Sequence, residues 1–310
     1  MTSLPRVSVV IPAFNAEPFI RDTLRSVAAS RGIDYEVIVV DDGSSDATAQ
    51  IVSRWSPEVR LVTGPRMGVC AARNRGVALA RAELIAFLDH DDLFAPDKLA
   101  RQAALLDSRP DLALVFTQAR VQCVIAGGEP EEIFPQIPDL ESFLAGAYEN
   151  LVHWNYIPMS SVMARRAMLC ATAGRDGDGP FDPRFALSED WDLWLRLAAR
   201  HPIACILEPL VDYLIAPGRA TSRMADLRLE DITIVRERIA EHPWLAEKSP
   251  ARCRETLFRL HQEAAWWLLR EGRAPEARRI LREAIRMRPG AVKPMALYVR
   301  SLLGAAGARP

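Results

Sequence analysis

Leu84-Ile85-Ala86-Phe87-Leu88-Asp89-His90-Asp91-Asp92 runs from five apolar residues directly into three carboxylates within four positions. A short apolar run bounded by charge predicts a strand covered on both faces, as in sheets with helices on either side. Ligands of such sheets bind beyond the carboxyl ends of the strands, which is where Asp89, Asp91 and Asp92 fall. Carboxylates crowded this closely repel one another, so a divalent cation or a set of hydrogen-bond donors must neutralise them. The competing reading is a solvated acidic turn that caps the next helix, for which Asp92 or the Ala95-Pro96 step would serve.

Working outward toward the N-terminus, Val7 to Ile11 is a β-branched run broken by Pro12. Ile20, Leu24, Val27 and Ala28 follow at helical spacing. Tyr35 to Val40 predicts a second strand, at the right distance for a right-handed crossover around that helix. It ends in Asp41-Asp42-Gly43-Ser44-Ser45-Asp46, where Gly43 suits a tight turn and Ser44, Ser45 or Asp46 can cap a helix from Thr48. Val59 to Val62 reads as a third strand and Gly68 to Ala80 as a helix. Beyond the acidic cluster, a helix from about Pro96 to Leu106 and a strand at Leu112 to Thr117 continue the alternation. Such β-α alternation predicts a mainly parallel sheet with helices on both faces.

The pattern fades from Gln118 to Tyr156, around Gly127-Gly128, Pro130, Pro135 and Pro138, with a helix expected near Leu140 to Asn150. A strand at Ser160 to Ala164, a helix at Arg165 to Ala173 and a glycine-rich loop at Gly174 to Gly179 come next. Trp191, Trp194, Leu195 and Ala198 then mark the buried face of a helix that carries Glu189 and Asp190 at its start. Acidic residues there are also ordinary partners of the helix dipole. Ile203 to Leu207 and Val211 to Ile215 resemble two short strands, and a linker is expected near Pro217 to Ala225. From there the sequence is almost entirely helical. Two apolar faces split by Glu271 to Pro275 predict a helical hairpin, tetratricopeptide-like at most. The expected division is residues 1–222 and 223–310.

Composition narrows the function classes. Of the 310 residues 49% are hydrophobic, enough to fill a real core, and 39 basic residues nearly balance 40 acidic ones. A net charge of -1 gives no reason to expect nucleic acid. Five scattered cysteines without a Cys-x-x-Cys pair argue against a disulfide framework or a zinc site. Met1 to Arg6 lacks the basic and apolar regions of a signal peptide, and no apolar run reaches the roughly 18 residues that span a bilayer. The expectation is a cytoplasmic protein, or one peripheral at the inner face of the membrane.

Taken together, Val-Val-Ile-Pro12-Ala13-Phe14-Asn15, Val-Val-Asp41-Asp42-Gly-Ser-Ser-Asp46, Ala-Ala-Arg73-Asn74-Arg-Gly76, Phe-Leu-Asp89-His90-Asp91-Asp92 and Ser-Glu189-Asp190-Trp-Asp-Leu-Trp-Leu resemble the family 2 glycosyltransferases. These are inverting enzymes of the GT-A fold, a nucleotide-binding Rossmann-like domain, and they use nucleotide-diphosphate sugars. The likeness covers roughly Val7 to Tyr213 and leaves the C-terminal α-helical extension outside it. It implies that Pro12, Ala13, Phe14 and Asp42 hold the nucleobase with Arg73 beside them, and it makes Asn15 and Glu17 further candidates for the donor site. A carboxylate at Asp42 that accepts from an imide N–H suits uracil or thymine better than adenine, so a UDP-sugar is favoured, with dTDP and GDP kept open. For Asp42 the alternative is a turn and cap residue; for Phe14 it is plain core packing.

By the same resemblance Asp89 orients the ribose and sugar, and Asp91 binds the Mg²⁺ or Mn²⁺ that bridges the diphosphate. His90, adjacent by sequence, is a further candidate for the donor site, although side chains alternate along an extended segment, which disfavours it as a metal ligand. Asp190 matches the base that takes the proton of the acceptor hydroxyl, favoured over Glu189. Such bases typically contribute about 100- to 10,000-fold. One departure stands out. Where the family often has Arg-x-His-x-Gly-Ser after a tyrosine, this chain has Tyr213-Leu-Ile-Ala216-Pro-Gly-Arg219, so Ala216 cannot ligate a metal and Arg219 is a candidate for the diphosphate.

The implied activity is metal-dependent transfer of a sugar to a glycan, lipid-linked or small-molecule acceptor, as in polysaccharide biosynthesis. The alternatives are a nucleotidyltransferase and a degenerate nucleotide-sugar-binding scaffold working through its helical tail. Against the first, the loop after the first strand has neither the glycines nor the basic residue such enzymes use. Against the second, a binder has no need of Asp190. The arginines from Arg270 to Arg288 and the apolar Pro294 to Leu303 suggest a membrane or protein contact for the C-terminal helices.

Overall fold

The computed structural model describes residues 4–123, 132–137, 139–174, 179–215 and 223–302. Contacts divide the chain into two compact units, Met1–Ala216 and Pro217–Pro310. The first begins with β1 (Val7–Ala13), α1 (Ile20–Ala28), β2 (Tyr35–Asp41), α2 (Thr48–Ser53), β3 (Val59–Thr63), α3 (Val69–Leu79) and β4 (Leu84–Phe87). Strands β5 (Leu93–Phe94), β6 (Leu114–Cys123) and β7 (Glu132–Phe134) follow, with α4 (Lys98–Ser108) after β5. Then come α5 (Leu140–Ala145), α6 (Ala147–His153), β8 (Met163–Arg165), α7 (Arg166–Cys170), α8 (Glu189–Ala198) and β9 (Ile203–Ile215).

One sheet runs in the order β3-β2-β1-β4-β8-β6-β9-β5, with β7 on the side of β6. The first four strands are parallel, and Val9 pairs with Val37 on one side and Ala86 on the other. Central strands covered on both faces must be apolar at successive positions, and Val7, Val9, Val10, Ile11 and Leu84 to Leu88 are all fully buried. Helix α3 lies very close to β1: a Cβ at Gly76 would stand 2.3 Å from Cγ1 of Val10. Beyond β4 the sheet changes character. Strand β8 enters antiparallel between β4 and β6, β9 runs parallel to β6, and β5 runs antiparallel on β9.

Three expectations are corrected. The two short strands expected at 203–207 and 211–215 are one strand, β9. Its Pro209 sits opposite Gln118, where the register with β6 shifts, so the missing N–H falls at a bulge and the strand continues. The helix expected over 140–150 is two, parted at Gly146. The strand expected at 160–164 begins as a 3₁₀ turn, Met159–Ser161, before β8. Ala216, Arg219, most of the Pro217 to Ala225 linker, Gly127-Gly128, Pro130, Pro138 and positions 175–178 of the glycine-rich loop lie outside the described residues.

The second unit holds α9 (Met224–Glu241), α10 (Trp244–Lys248), α11 (Pro250–Arg270), α12 (Ala274–Met287) and α13 (Val292–Leu302). Helices α11 and α12 form the expected hairpin. Gly272, with φ of +75°, ends the first, and Pro275 occupies the first turn of the second. Ala264, Ala265, Leu268, Ala277, Leu281 and Ala284 are fully buried. Among the described residues no helix is long and apolar enough to cross a membrane.

Candidate active site

The carboxyl ends of β1, β2 and β4 meet along one edge, and every candidate residue of the first strands gathers there. The Asp42 N–H donates to the Ala13 carbonyl at 2.8 Å, locking the tip of β2 to the tip of β1. Both oxygens of the Asp42 carboxylate accept backbone N–H groups from the loop before α3, Met67 at 2.7 Å and Gly68 at 2.8 Å. Gly43 adopts φ of +77°, and a Cβ there would stand 2.9 Å from the Arg66 nitrogen, so the turn that holds this loop requires glycine. The loop in turn lays the Arg66 guanidinium over the half-buried Phe14 ring, 4.0 Å from its centre. Phe14, Asp42 and residues 66–68 thus form one wall.

Asn15 and Glu17 brace that wall from below. Asn15 accepts from the Ser45 N–H at 2.9 Å while its own N–H donates to Ser44 Oγ at 2.9 Å. Its φ of +48° lies in the left-handed region that asparagine tolerates. Glu17 accepts from the Ala47 N–H at 3.1 Å, next to the first turn of α2. Pro12 reaches the acidic motif through its carbonyl, which lies 3.2 Å from Nδ1 of His90. A carbonyl only accepts, so Nδ1–H is the donor of this hydrogen bond.

The acidic cluster is divided by its partners. Asp89 Oδ1 accepts from Arg73 Nη2 at 2.6 Å, and the other Arg73 terminal nitrogen donates to Glu189. The Arg73 guanidinium, buried to 4% exposure, joins the two acidic motifs. Burial works against its charge, but the Asp89 and Glu189 carboxylates outweigh burial and hold its pKa above the ordinary value. Asp92 is fully enclosed: Ser160 Oγ donates to it at 2.6 Å and the Leu214 N–H at 3.0 Å. Burial, with Asp89 and Asp91 nearby, pushes its pKa well above the usual carboxylate range. Ser160 Oγ also accepts the Asp89 N–H at 3.0 Å, so one hydroxyl orients two members of the motif.

Glu189 and Asp190 open α8 and differ in what they are bonded to. Glu189 is buried against Arg73, and its pKa is raised by burial that Arg73 only partly offsets. Asp190 accepts through a single oxygen, Oδ1, from the Trp191 N–H at 2.6 Å and from Asn155 Nδ2 at 3.3 Å. Burial and the neighbouring Glu189 carboxylate push the Asp190 pKa up to about 8. The helix is fixed by Trp191, whose indole N–H donates to the Leu151 carbonyl at 2.8 Å.

Among the described residues no three His, Cys, Asp or Glu side chains converge as a ready-made cation site. The donor set still fits a magnesium-like ion. Such ions are commonly held by one or two carboxylates plus the oxygens of a bound diphosphate, not by an all-protein cage. Asp91, the middle carboxylate of the motif, is 9% exposed. Five carboxyl groups, Asp89, Asp91, Asp92, Glu189 and Asp190, share this region with Arg73, and their crowding with burial raises the pKa of Asp92, Glu189 and Asp190.

Two residues of the site had no signal in the sequence. Asn155 lies in the irregular stretch after α6, and Ser160 was expected in a strand. Tyr213 in β9 faces four carboxylates, and burial together with Asp92, Asp89, Asp190 and Asp91 raises its phenol pKa. Only the three-dimensional arrangement brings them to the acidic motifs.

Comparison with known proteins places this geometry. The family model described as Glycosyl transferase family 2 matches residues 8–169. The succinoglycan biosynthesis protein ExoO of Rhizobium meliloti is 40% identical over 219 residues, covering 68% of this chain and 60% of that protein. The amylovoran biosynthesis glycosyltransferase AmsB of Erwinia amylovora is 30% identical over 222 residues, covering 66% of this chain and 68% of that protein. The chain spans only 39% and 23% of the length of two other curated relatives that it matches. Among solved structures, residues 1–349 of S. aureus TarS in complex with UDP-GlcNAc match at TM-score 0.60 and 17% identity, over 96% of this chain and 90% of that one. The mannosyltransferase PcManGT from Pyrobaculum calidifontis, in complex with GDP-Man and Mn²⁺, matches at TM-score 0.56 and 22% identity, over 97% and 81%. These two likenesses are of fold, that of the GT-A transferases.

Proposed function

The chain belongs to glycosyl transferase family 2, and from that premise we propose that it moves a sugar from a nucleotide-diphosphate sugar to an acceptor hydroxyl by single displacement, with Asp190 as the base. The observation that carries this assignment is the division of labour at the start of α8. Glu189 is committed to Arg73, whereas Asp190 accepts N–H groups only through Oδ1 and keeps Oδ2 for the acceptor proton. A carboxylate whose pKa lies near 8 is well matched to that proton transfer close to neutral pH.

In this reading the acceptor oxygen bonds to the anomeric carbon as the carbon–phosphate-oxygen bond breaks on the opposite face. The acceptor proton goes to Asp190 Oδ2, and the nucleoside diphosphate leaves with the electron pair. The configuration at the anomeric carbon inverts. Phe14, Ala13 and Asp42 form the wall for the nucleobase, while Asp89, oriented by Arg73 and Ser160, meets the ribose and sugar. Asp91 would hold Mg²⁺ or Mn²⁺ together with the diphosphate, where the cation supplies charge stabilisation for the departing group without proton transfer. Asp42 supports a UDP-sugar, because a carboxylate at this wall suits an imide N–H. The solved relatives carry UDP-GlcNAc in one case and GDP-Man with Mn²⁺ in the other, which supports a metal-assisted nucleotide-sugar donor without choosing the base. The names of the bacterial relatives, for succinoglycan and amylovoran biosynthesis, support a glycan acceptor.

The test is a thermal-shift panel of UDP, dTDP, GDP, CDP and ADP, each with Mn²⁺, Mg²⁺ or chelator. A ligand at 100 times its dissociation constant stabilises the fold by about 2.7 kcal/mol. The expected result is a rise in melting temperature for one nucleotide that requires metal and disappears in Asp91→Ala. No rise with any nucleotide would refute the donor reading.

A further inference from the structure

Helix α13 is apolar on two opposite faces. One face packs on α12: Pro294 and Ser301 are buried, Arg278 donates to the Ser301 carbonyl at 3.0 Å, and Arg282 donates to the Tyr298 hydroxyl at 3.2 Å. The other carries Val292, Met295, Val299 and Leu302, which are 79%, 40%, 54% and 60% exposed. At about 100° per residue these four form one stripe opposite Pro294 and Ser301, and Lys293 and Arg300 lie together along one edge of it. Single exposed apolar side chains need no explanation. Four in register on one helix face mark a surface that something covers.

The spacing of the stripe is also that of a coiled-coil seam, but it lasts about one and a half heptads, short of the three or four such pairing needs. Charge separates the occupants further. Helix α13 carries Lys293 and Arg300 and no carboxylate. A second copy laid along this stripe would bring like charges together, whereas an anionic surface would satisfy them. We propose that α13 docks the chain on an anionic phospholipid bilayer. The helix lies in the headgroup plane with Val292, Met295, Val299 and Leu302 inserted among the acyl chains and with Lys293 and Arg300 at the phosphates. Its 11 residues are far too few to cross the hydrocarbon core, so it lies in the interface. The proposal stands on the second unit alone and does not depend on the donor chemistry.

The test is co-sedimentation of the full chain with sucrose-loaded vesicles of phosphatidylcholine, with and without 30 mol% (about one lipid in three) phosphatidylglycerol, at low and high salt. Binding is expected to the anionic vesicles, at least about tenfold weaker to the neutral ones, and weakened by salt. Each basic residue near such a surface contributes roughly fivefold, so Lys293→Gln with Arg300→Gln is expected to lower partitioning about 25-fold. Val299→Asp is expected to lower it by at least about tenfold. Both variants change exposed positions, and an unchanged melting temperature and unchanged nucleotide-induced shift confirm that the fold is intact. Equal binding to neutral and anionic vesicles, no binding to either, or wild-type binding by the double variant would each overturn the proposal. A concentration-dependent dimer abolished by Val299→Asp, without vesicle binding, would overturn it in favour of a second copy.

Discussion

Replacing Arg73 with methionine removes the cation that sits between two buried carboxylates while keeping an unbranched side chain of similar length. In the native chain Arg73 bonds Asp89 at 2.6 Å and Glu189 from its other terminal nitrogen, with both partners drawn from different elements. Breaking a buried ion pair by deleting one partner typically costs 3–5 kcal/mol, because the remaining charge is left without compensation. Here two carboxylates are stranded, but the native guanidinium is itself imperfectly satisfied, since its buried Nε has no hydrogen-bond partner. These opposing corrections leave an expected loss of about 3–5 kcal/mol. For a unit of this size that corresponds to a fall in melting temperature of roughly 6–20 °C, read by circular dichroism at pH 7.5. The pH dependence has a definite sign. Without Arg73, the folded-state pKa of Glu189, already raised by burial, rises further above the unfolded value. The protonated, uncharged forms then favour folding at low pH, and that stability is lost as pH rises through the raised pKa. The deficit relative to wild type should therefore grow as the pH rises above the unfolded carboxylate range, shrink as the pH falls back toward it, and be partly repaired by adding Glu189→Gln. A melting temperature within 2 °C (about 1 kcal/mol or less) of wild type, or a deficit that grows as the pH falls, would refute the reasoning.

The raised pKa of Asp190 makes two further predictions. Only its ionised form accepts a proton, so kcat/KM for the free enzyme should climb with pH up to about 8 and flatten above it, measured as nucleoside diphosphate release. Asp190→Asn keeps an oxygen acceptor for the Trp191 and Asn155 donors but removes the charge. It should melt higher than wild type at pH 8 and alike at pH 4, because a carboxyl with a raised folded-state pKa costs stability only as pH rises above its unfolded value. Ser160→Ala strips a buried hydroxyl from both Asp92 and the Asp89 N–H, which should cost about 1–3 kcal/mol in a denaturant melt and weaken metal-dependent nucleotide binding.

The parallel half of the sheet was legible because central strands covered by helices must be largely apolar, and Val9 to Ile11, Val37 to Val40 and Leu84 to Leu88 are unbroken apolar runs. The antiparallel half was not. Pro209 looked like a break between two strands, and only the shifted register opposite Gln118 shows how β9 passes through it. Strand β5, with two residues, carries too little pattern to be seen at all. The candidate site divides in the same way. Asp42, Asp89, Asp91 and the Glu189-Asp190 pair lie at strand and helix ends, where local pattern points to them. What these carboxylates are bonded to is set by other segments of the chain: the loop before α3 for Asp42, Arg73 for Asp89 and Glu189, and Asn155 for Asp190. The helical position of Arg73 could be read from its surroundings, but not that its guanidinium would bridge Asp89 and Glu189. Ser160 and Asn155 sit in segments without periodicity, and their importance is created by tertiary contact with Asp92 and Asp190.

The account rests on Asp190 taking the acceptor proton while Glu189 holds Arg73. The most direct measurement compares nucleoside diphosphate release by wild type, Asp190→Asn and Glu189→Gln, each saturated with the donor and metal found in the thermal-shift panel. Asp190→Asn should lose about 100- to 10,000-fold in turnover with donor affinity unchanged, while Glu189→Gln should lose donor affinity or stability and keep a measurable rate. Wild-type turnover by Asp190→Asn, with Glu189→Gln folded and inactive, would contradict it.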